Sequence, residues 1–490
     1  MRIEAAQPVR RAALALAVAL VACAGASFAA TTTQEAHGPP APNVLLVITD
    51  DQPWDTMPMM TGPPAMPWLE ARVRDRGDRW VRFTNAFVNV PMCCPSRASI
   101  LTGRYARHTG VATNADGAHF DASATLATWL DEAGYQTALI GKYLNGYPWG
   151  RTPFVPDGWD RFLAKRNIGL ATTYERFPFV DQGVPLTAGP SAQGYATSFL
   201  ADEALAFLRG ASHEMPWFLV FAPSAPHEPW LPAPGDGGRF TDAPIATPSL
   251  EELNDVSGAP AWIRGLPPVD HSAAATLDEQ RRRMLETLAG VDRALEDLVA
   301  EIDARGELDD TLIVFMTDNG YSFGAHRWVG KRCQYDECIR TPLAVRFPWA
   351  SAGGTSVSAP VSAVDIAPTI LDLVADDAAV PIVPLDGRSF RQWLEGAGVV
   401  DAARSGVLVE WVGDDEVPAW SAVRTDGYAY VEHADGTTEL YDLEGTLGPA
   451  DPEEVRDHAG DRRYARVQDE LARLLEGLAT ALPRPAGTRR

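Results

Sequence analysis

Lysine is almost missing from this 490-residue chain: Lys142, Lys165 and Lys331 are three of 42 basic residues, and the other 39 are arginines. A GC-rich genome is enough to cause such a swap. Positions that stay Lys under that pressure are candidates for a compact ammonium rather than a planar guanidinium. Two of the three follow a glycine, in Gly141-Lys142-Tyr143 and Gly330-Lys331-Arg332. Positive charge is also short overall. The 42 Lys+Arg stand against 65 Asp+Glu, a formal net charge of −23. Without a basic face the chain is no general binder of nucleic acid, and an anionic ligand must be held by a few placed cations. Cysteine is scarce as well, five in all, which excludes a disulfide-built scaffold. No stretch approaches the ~20 apolar residues that would span a bilayer. With 46% hydrophobic and 22% charged residues, the chain is not a disordered one either.

What is present begins with an export signal. Residues 1–30 carry Arg2, Arg10 and Arg11, an apolar run from Ala12 to Ala22, and then small residues. Two cleavage readings stand side by side. Ser27-Phe28-Ala29 fits a small-residue site, whereas Leu20-Val21-Ala22-Cys23 resembles a lipoprotein box with Cys23 as the lipidated residue. Arg10-Arg11 also permits twin-arginine export, although the hydrophobic residues after it are weak. The expected product is exported: secreted, periplasmic, or a cell-surface lipoprotein that meets the membrane only through its lipid. Beyond Cys23 the cysteines are the vicinal pair Cys93-Cys94 and the pair Cys333 and Cys338, and the latter could close a short disulfide loop in an oxidising compartment. Adjacent Cys93 and Cys94 lack chelating spacing, so zinc is a poor reading.

Residues 31–42 form a Thr/Pro/Ala linker. Asn43–Thr49 is a continuous apolar run, the mark of a buried parallel strand, and it ends in Asp50-Asp51. The pattern predicts a helix over Thr125–Glu132, a strand over Gln136–Ile140, a helix over Ala196–Leu208 and a strand over Trp217–Phe221. Met284, Leu288, Val291, Leu295, Leu298 and Ile302 recur at helical spacing before Gly306, and strand Thr311–Thr317 then runs into Asp318-Asn319-Gly320. Alternating strands and helices predict an α/β fold, a large mostly parallel sheet sandwiched by helices, with ligand at the carboxyl ends of the strands. Residues 228–275 read as a long loop or lid. From 405 to 490 short strands and a last helix near 462–479 predict a smaller antiparallel α+β subdomain, leaving 43–404 as the main α/β domain.

Asp50, Asp51, Asp318 and Asn319 are hard oxygen donors at two strand ends, suited to Ca2+ or Mg2+, although acidic residues there also cap helices. The most informative stretch is Pro91-Met92-Cys93-Cys94-Pro95-Ser96-Arg97-Ala98-Ser99-Ile100-Leu101-Thr102-Gly103. A cysteine heading an Arg-containing turn at a helix start is expected to have a lowered pKa.

That string resembles the signature of type I sulfatases of the alkaline-phosphatase-like superfamily, Cys-X-Pro-Ser-Arg followed by a small-residue helix ending in Thr-Gly. A second signature of the family is similar to Gly134-Tyr135-Gln136-Thr137-Ala138-Leu139-Ile140-Gly141-Lys142-Tyr143-Leu144. The resemblance covers roughly residues 43–445, including Glu439-Leu440-Tyr441-Asp442-Leu443. It implies that a separate formylglycine-generating enzyme oxidises Cys93 to Cα-formylglycine, whose hydrate supplies the nucleophile. It implies Ca2+ (or Mg2+) bound by Asp50, Asp51, Asp318, Asn319 and the residue at 93, with Arg97 stabilising the hydrate. Lys142, His227 and Lys331 would contact the sulfate and the leaving oxygen of a small sulfated substrate.

The chain departs from arylsulfatases where a histidine commonly follows the first lysine by two residues, since Leu144 and Asn145 stand there. Gly-Lys-Tyr-Leu-Asn-Gly-Tyr instead resembles the N-acetylglucosamine-6-sulfatase and heparan endosulfatase branch, which implies Asn145 as a substrate contact. His326 is a candidate for a further contact, and His108 and His119 are candidates for the pocket wall or the surface. Relatives with the same motif act on phosphonate monoesters or phosphodiesters, which makes such a hydrolase the alternative activity. The alternative from another class, a secreted binding protein without turnover, predicts a broken nucleophile, metal or lysine position, and none is broken. A thiol oxidoreductase using Cys93-Cys94 leaves the aspartates and lysines unexplained.

Overall fold

Asn43–Thr49 is buried along its whole length because it lies in the middle of a sheet with helices on both faces. A computed structural model describes residues 41–56, 64–147, 154–166, 172–189, 194–241, 248–350, 353–374, 383–396 and 405–481. The signal segment, Cys23 and most of the linker lie outside the described residues. The large sheet has ten strands. They are β1 (Asn43–Thr49), β2 (Trp80–Phe83), β3 (Gln136–Lys142), β4 (Arg161–Lys165) and β5 (Pro178–Asp181). The remainder are β6 (Val184–Thr187), β7 (Trp217–Ala222), β8 (Thr311–Thr317), β9 (Leu343–Arg346) and β10 (Thr355–Val357). Their order is β10-β2-β9-β8-β1-β7-β3-β4-β5-β6. The central strands β8, β1, β7, β3 and β4 pair in parallel, whereas antiparallel pairs join β9 to both neighbours and β5 to both of its own.

The principal helices are α1 (Pro67–Arg74), α2 (Cys93–Thr102), α3 (Leu126–Glu132), α4 (Ala196–Gly210), α5 (His271–Ala304), α6 (Ile366–Val374) and α7 (Ala465–Thr480). Side chains of β1 alternate between two cores. Val44, Leu46 and Ile48 pack with Ala98 of α2, Leu126 of α3 and Ile370 of α6. Leu45 and Val47 pack with Leu69 of α1, Leu200 of α4 and Leu288 of α5. A period of two feeding two cores is what makes the run continuously apolar.

Two segments differ from the sequence reading. The long helix begins at His271, not near Met284, and Asp270 caps it by accepting from the amide of Ala273. Its first three turns are mostly exposed and carry no apolar stripe, so periodicity could not reveal them. The expected loop 228–275 also holds short helices Leu250–Asn254 and Ala261–Arg264. Near the carboxyl terminus β11 (Val407–Trp411), β12 (Trp420–Arg424), β13 (Tyr428–His433) and β14 (Thr438–Asp442) make the expected antiparallel sheet, followed by α7. Cys333 and Cys338 form a disulfide. Among the described residues, no helix is long and apolar enough to cross a membrane.

Candidate active site

The carboxyl ends of the adjacent strands β1 and β8 deliver Asp50, Asp51, Asp318 and Asn319 side by side, because the two strands pair in register from Asn43–Thr311 to Thr49–Thr317. The amide of Asp51, whose φ of 64° turns the chain out of the strand, donates to Asp318 Oδ1 at 3.1 Å. Cys93 is the first residue of α2, a helix buried over all ten residues, and its side chain is 1% exposed. Its Sγ lies 3.5 Å from Asp50 Oδ1, 3.7 Å from Asp51 Oδ1 and 2.9 Å from Lys331 Nζ.

Each of the three carboxylates has one of three cations at hydrogen-bond distance, and Lys142 also lies 3.9 Å from Asp318 Oδ2. Lys142 Nζ donates to Asp50 Oδ2 at 2.6 Å, Lys331 Nζ to Asp51 Oδ1 at 2.6 Å, and Arg97 Nε to Asp318 Oδ2 at 2.7 Å. Arg97 spends its other donors on the carbonyls of Lys142 (3.0 Å) and Thr49 (3.3 Å), so it ties α2 to the ends of β1 and β3. Both lysines follow a glycine for a physical reason. Gly141 has φ +130° and Gly330 +121°, a backbone that side-chain-bearing residues rarely adopt, and a Cβ at Gly141 would lie 2.0 Å from the Ala222 carbonyl oxygen.

Burial works against every charge here, and the pairing decides the outcome. It pushes Asp50 and Asp51 up, but Lys142, Lys331 and His227 more than offset it and hold both carboxyls below their usual range. Burial pushes Lys142 and Lys331 down, and their aspartates more than restore them. Cys93 goes the other way. Burial pushes its thiol up to about 12, with Lys142 and Lys331 pulling it only part of the way back. The expected lowering is therefore corrected: desolvation at this helix start outweighs the helix terminus and the cations.

The donor set suits a hard divalent cation. One atom each from Asp50, Asp51, Cys93 and Asp318 lie within 4.8 Å of one another. Asn319 Nδ2 donates to Asp51 Oδ1 at 2.8 Å, while Asn319 Oδ1 is buried with no hydrogen-bond partner. An orphaned amide oxygen beside three carboxylates is what oxygen-ligated Ca2+ or Mg2+ would satisfy.

His227 follows β7 and brings Nε2 to 3.5 Å from Asp51 Oδ2. Its Nδ1 is 2.8 Å from the Glu228 carbonyl oxygen, and Tyr174 Oη donates to the His227 carbonyl at 2.5 Å. Tyr174 carried no signal in the sequence, because it lies in an irregular stretch without a motif. The remaining candidates sit further out. Asn145 is half-buried, its carbonyl accepts from Cys94 Sγ at 3.2 Å, and its Oδ1 has no partner. His326 is 4% exposed and stacks on Tyr335 with ring centres 3.7 Å apart, and it has no hydrogen bond to the cluster among those described. Burial lowers its pKa to about 4. His108 pairs with Asp386 at 2.7 Å, and His119 is exposed.

Known proteins match this chain along most of its length. The family model "Sulfatase" matches residues 42–376, and the model "N-sulphoglucosamine sulphohydrolase, C-terminal" matches residues 324–481. The N-acetylglucosamine-6-sulfatase of Homo sapiens is 32% identical over 399 residues, 77% of this chain and 69% of that protein. An N-acetylglucosamine-6-O-sulfatase of Bacteroides thetaiotaomicron is 27% identical, covering 93% and 89%. An arylsulfatase of Volvox carteri is 33% identical over 74% of this chain, which spans 59% of that relative's length. Among solved structures, a protein in complex with its substrate D-glucosamine-2-N,6-O-disulfate superposes with a TM-score of 0.73 at 26% identity, covering 89% of this chain and 97% of its own. The phosphonate monoester hydrolase of Agrobacterium radiobacter superposes at 0.69 with 25% identity, covering 89% and 95%.

Proposed function

The chain belongs to the sulfatase family, and from that premise we propose that the cluster around Cys93 hydrolyses the sulfate ester of a small carbohydrate or aryl alcohol. The observation that carries this reading is the gathering of three buried carboxylates, each paired with a cation, around Cys93, with Lys331 Nζ 2.9 Å from its sulfur. Asp50, Asp51, Asp318 and Asn319, with the residue at 93, would hold Ca2+ (or Mg2+), which when bound supplies a Lewis acid beside the nucleophile and the sulfuryl oxygens. Cys93, matured to Cα-formylglycine by a separate enzyme, would supply the hydroxyl nucleophile that a thiol pushed up to about 12 does not.

The other roles fall to side chains already in place. Lys142 and Lys331 are fixed ammonium groups for the sulfuryl oxygens, aimed before substrate arrives, which is where preorganised charge acts best. Arg97 acts on Asp318 and on the ends of β1 and β3. A carbonyl can only accept, so the hydrogen between His227 and Glu228 sits on Nδ1. That leaves Nε2, the nitrogen facing Asp51, to exchange a proton with the leaving oxygen. Relatives named for N-acetylglucosamine 6-sulfate support an amino-sugar sulfate as substrate. The net charge of −23 disfavours long polyanions. Likeness to a phosphonate monoester hydrolase supports that activity as the second reading.

The test uses protein exported by a host that makes formylglycine. Peptide mass spectrometry across Cys93 should find the residue ~18 Da lighter than cysteine and reactive to hydrazines. The same preparation should turn over N-acetylglucosamine 6-sulfate or 4-nitrophenyl sulfate faster than phenyl phosphonates. An unmodified thiol in active protein would overturn the nucleophile, and faster phosphonate turnover would favour the second reading.

A further inference from the structure

Lys331 reaches the cluster from an irregular segment, and groups outside the cluster hold that segment in place. The carbonyl of Lys331 accepts from Trp328 Nε1 at 3.0 Å. The next carbonyl, that of Arg332, accepts from Trp420 Nε1 at 3.0 Å. Trp420 opens β12 in the C-terminal sheet. The Arg332 guanidinium pairs with Asp414 and Glu416, just ahead of the same strand. Further along, the Cys333–Cys338 disulfide closes the segment. Asp336 then pairs with Arg424, at the far end of β12, at 3.0 Å. Gly330 and Arg332 bracket Lys331 with φ of +121° and +80°. A non-glycine residue at that φ persists only where its surroundings over-determine it.

We propose that Trp420, Trp328 and Arg332 are positioning residues for the Lys331 ammonium, through which the C-terminal sheet acts on substrate binding. The proposal rests on Lys331 being a sulfate-contacting cation. A stability role alone fits these groups poorly. Ion pairs as exposed as Arg332 with Glu416 contribute little to folding. Phenylalanine would keep most of the apolar contacts of the buried Trp420 ring, at the cost of a small cavity, and lose only the N–H. What the ring nitrogens and the guanidinium add is direction: fixed points on the backbone immediately after the Lys331 side chain's attachment.

The scarcity of lysine makes this testable, because amine acetylation of the whole chain reports on three side chains only. Lys331 is 16% exposed at its side chain and Lys142 is 6% exposed, so the two report separately. In Trp420→Phe and in Arg332→Gln, acetylation of Lys331 by N-hydroxysuccinimidyl acetate should rise roughly three- to tenfold, the worth of one hydrogen bond. Acetylation of Lys142 should stay at the wild-type rate. The inhibition constant of inorganic sulfate in 4-nitrophenyl sulfate hydrolysis should rise by a similar factor. The control Tyr464→Phe, which removes a buried hydrogen bond to Asp442 elsewhere in the C-terminal part, should move neither readout. Unchanged Lys331 labelling in both variants would overturn the proposal, as would Lys142 and Lys165 rising together with Lys331. Should Trp420→Phe fail to fold, Arg332→Gln carries the test at a partly exposed ion pair. If the wild type hydrolyses no sulfate ester, the functional reading fails, and labelling still decides whether these residues hold Lys331.

Discussion

Replacing Arg97 by methionine removes the charge from a side chain 3% exposed while keeping most of its apolar bulk. Asp318, with no exposed surface, then loses its partner at 2.7 Å. Leaving one member of a buried pair uncompensated costs about 3–5 kcal/mol, and the Lys142 ammonium 3.9 Å from Asp318 puts this case at the lower end. The carbonyls of Lys142 and Thr49 also lose a donor, at about 1 kcal/mol each. Neighbours of this kind are not additive, so ~5 kcal/mol is the working figure, a large part of the 5–15 kcal/mol of a typical protein. Unfolding entropy of about 2.1 cal/mol/K per residue gives ~1 kcal/mol/K for a chain of this size, hence a fall in Tm of about 5 °C. The assay is calorimetry on chelator-treated protein at one scan rate. The double variant Arg97→Met/Asp318→Asn separates charge from packing, because a neutral amide needs no countercharge, and it should regain about half of the loss. A single variant that melts within ~1 °C of wild type would refute the reasoning. So would a double variant no more stable than the single one.

Two further outcomes follow from the same geometry. Ca2+ at a hundred times its dissociation constant should raise wild-type stability by ~2.7 kcal/mol, an effect that EDTA reverses. Asn319→Ala, which deletes the unpartnered buried Oδ1, should lose at least half of that rise, and full retention would show that the amide is not a ligand. His326 is held neutral by burial, with a pKa of about 4 against an ordinary 6.5. The unfolded chain therefore binds a proton between pH 6.5 and 4 that the folded one does not, and stability falls as pH drops through that window by about 3 kcal/mol. His326→Asn, which tolerates φ of 55°, should flatten that part of a Tm-against-pH curve. An unchanged slope would show that another group governs it.

The carboxylate end of the site was legible because two buried strands, Asn43–Thr49 and Thr311–Thr317, each stop at hard oxygen donors. In a sheet of this kind such stops gather at one edge. The glycines before Lys142 and Lys331 were visible as a repeated dipeptide, and the structure supplies their reason in positive φ. The protonation of Cys93 was not legible. A helix start and a nearby arginine argue for a lowered thiol pKa, and only the depth of burial, a tertiary quantity, reverses the sign. His326 shows the same limit, since its stacking on Tyr335 depends on a left-handed turn that Phe323-Gly324-Ala325-His326 does not announce. The indole of Trp420 lies 88 positions from the carbonyl it meets, beyond the reach of any local pattern.

The hydrogen bond from Asp51 to Asp318 spans 267 positions. At the ribosome's ~5–20 residues per second, the second residue is made roughly 13–53 s after the first. Throughout that interval β1, an uninterrupted apolar strand, waits for both of its neighbours, β7 and then β8. An open strand edge of that composition is a template for pairing with other chains. That edge is covered only when Thr311–Thr317 arrives and pairs along the whole of β1.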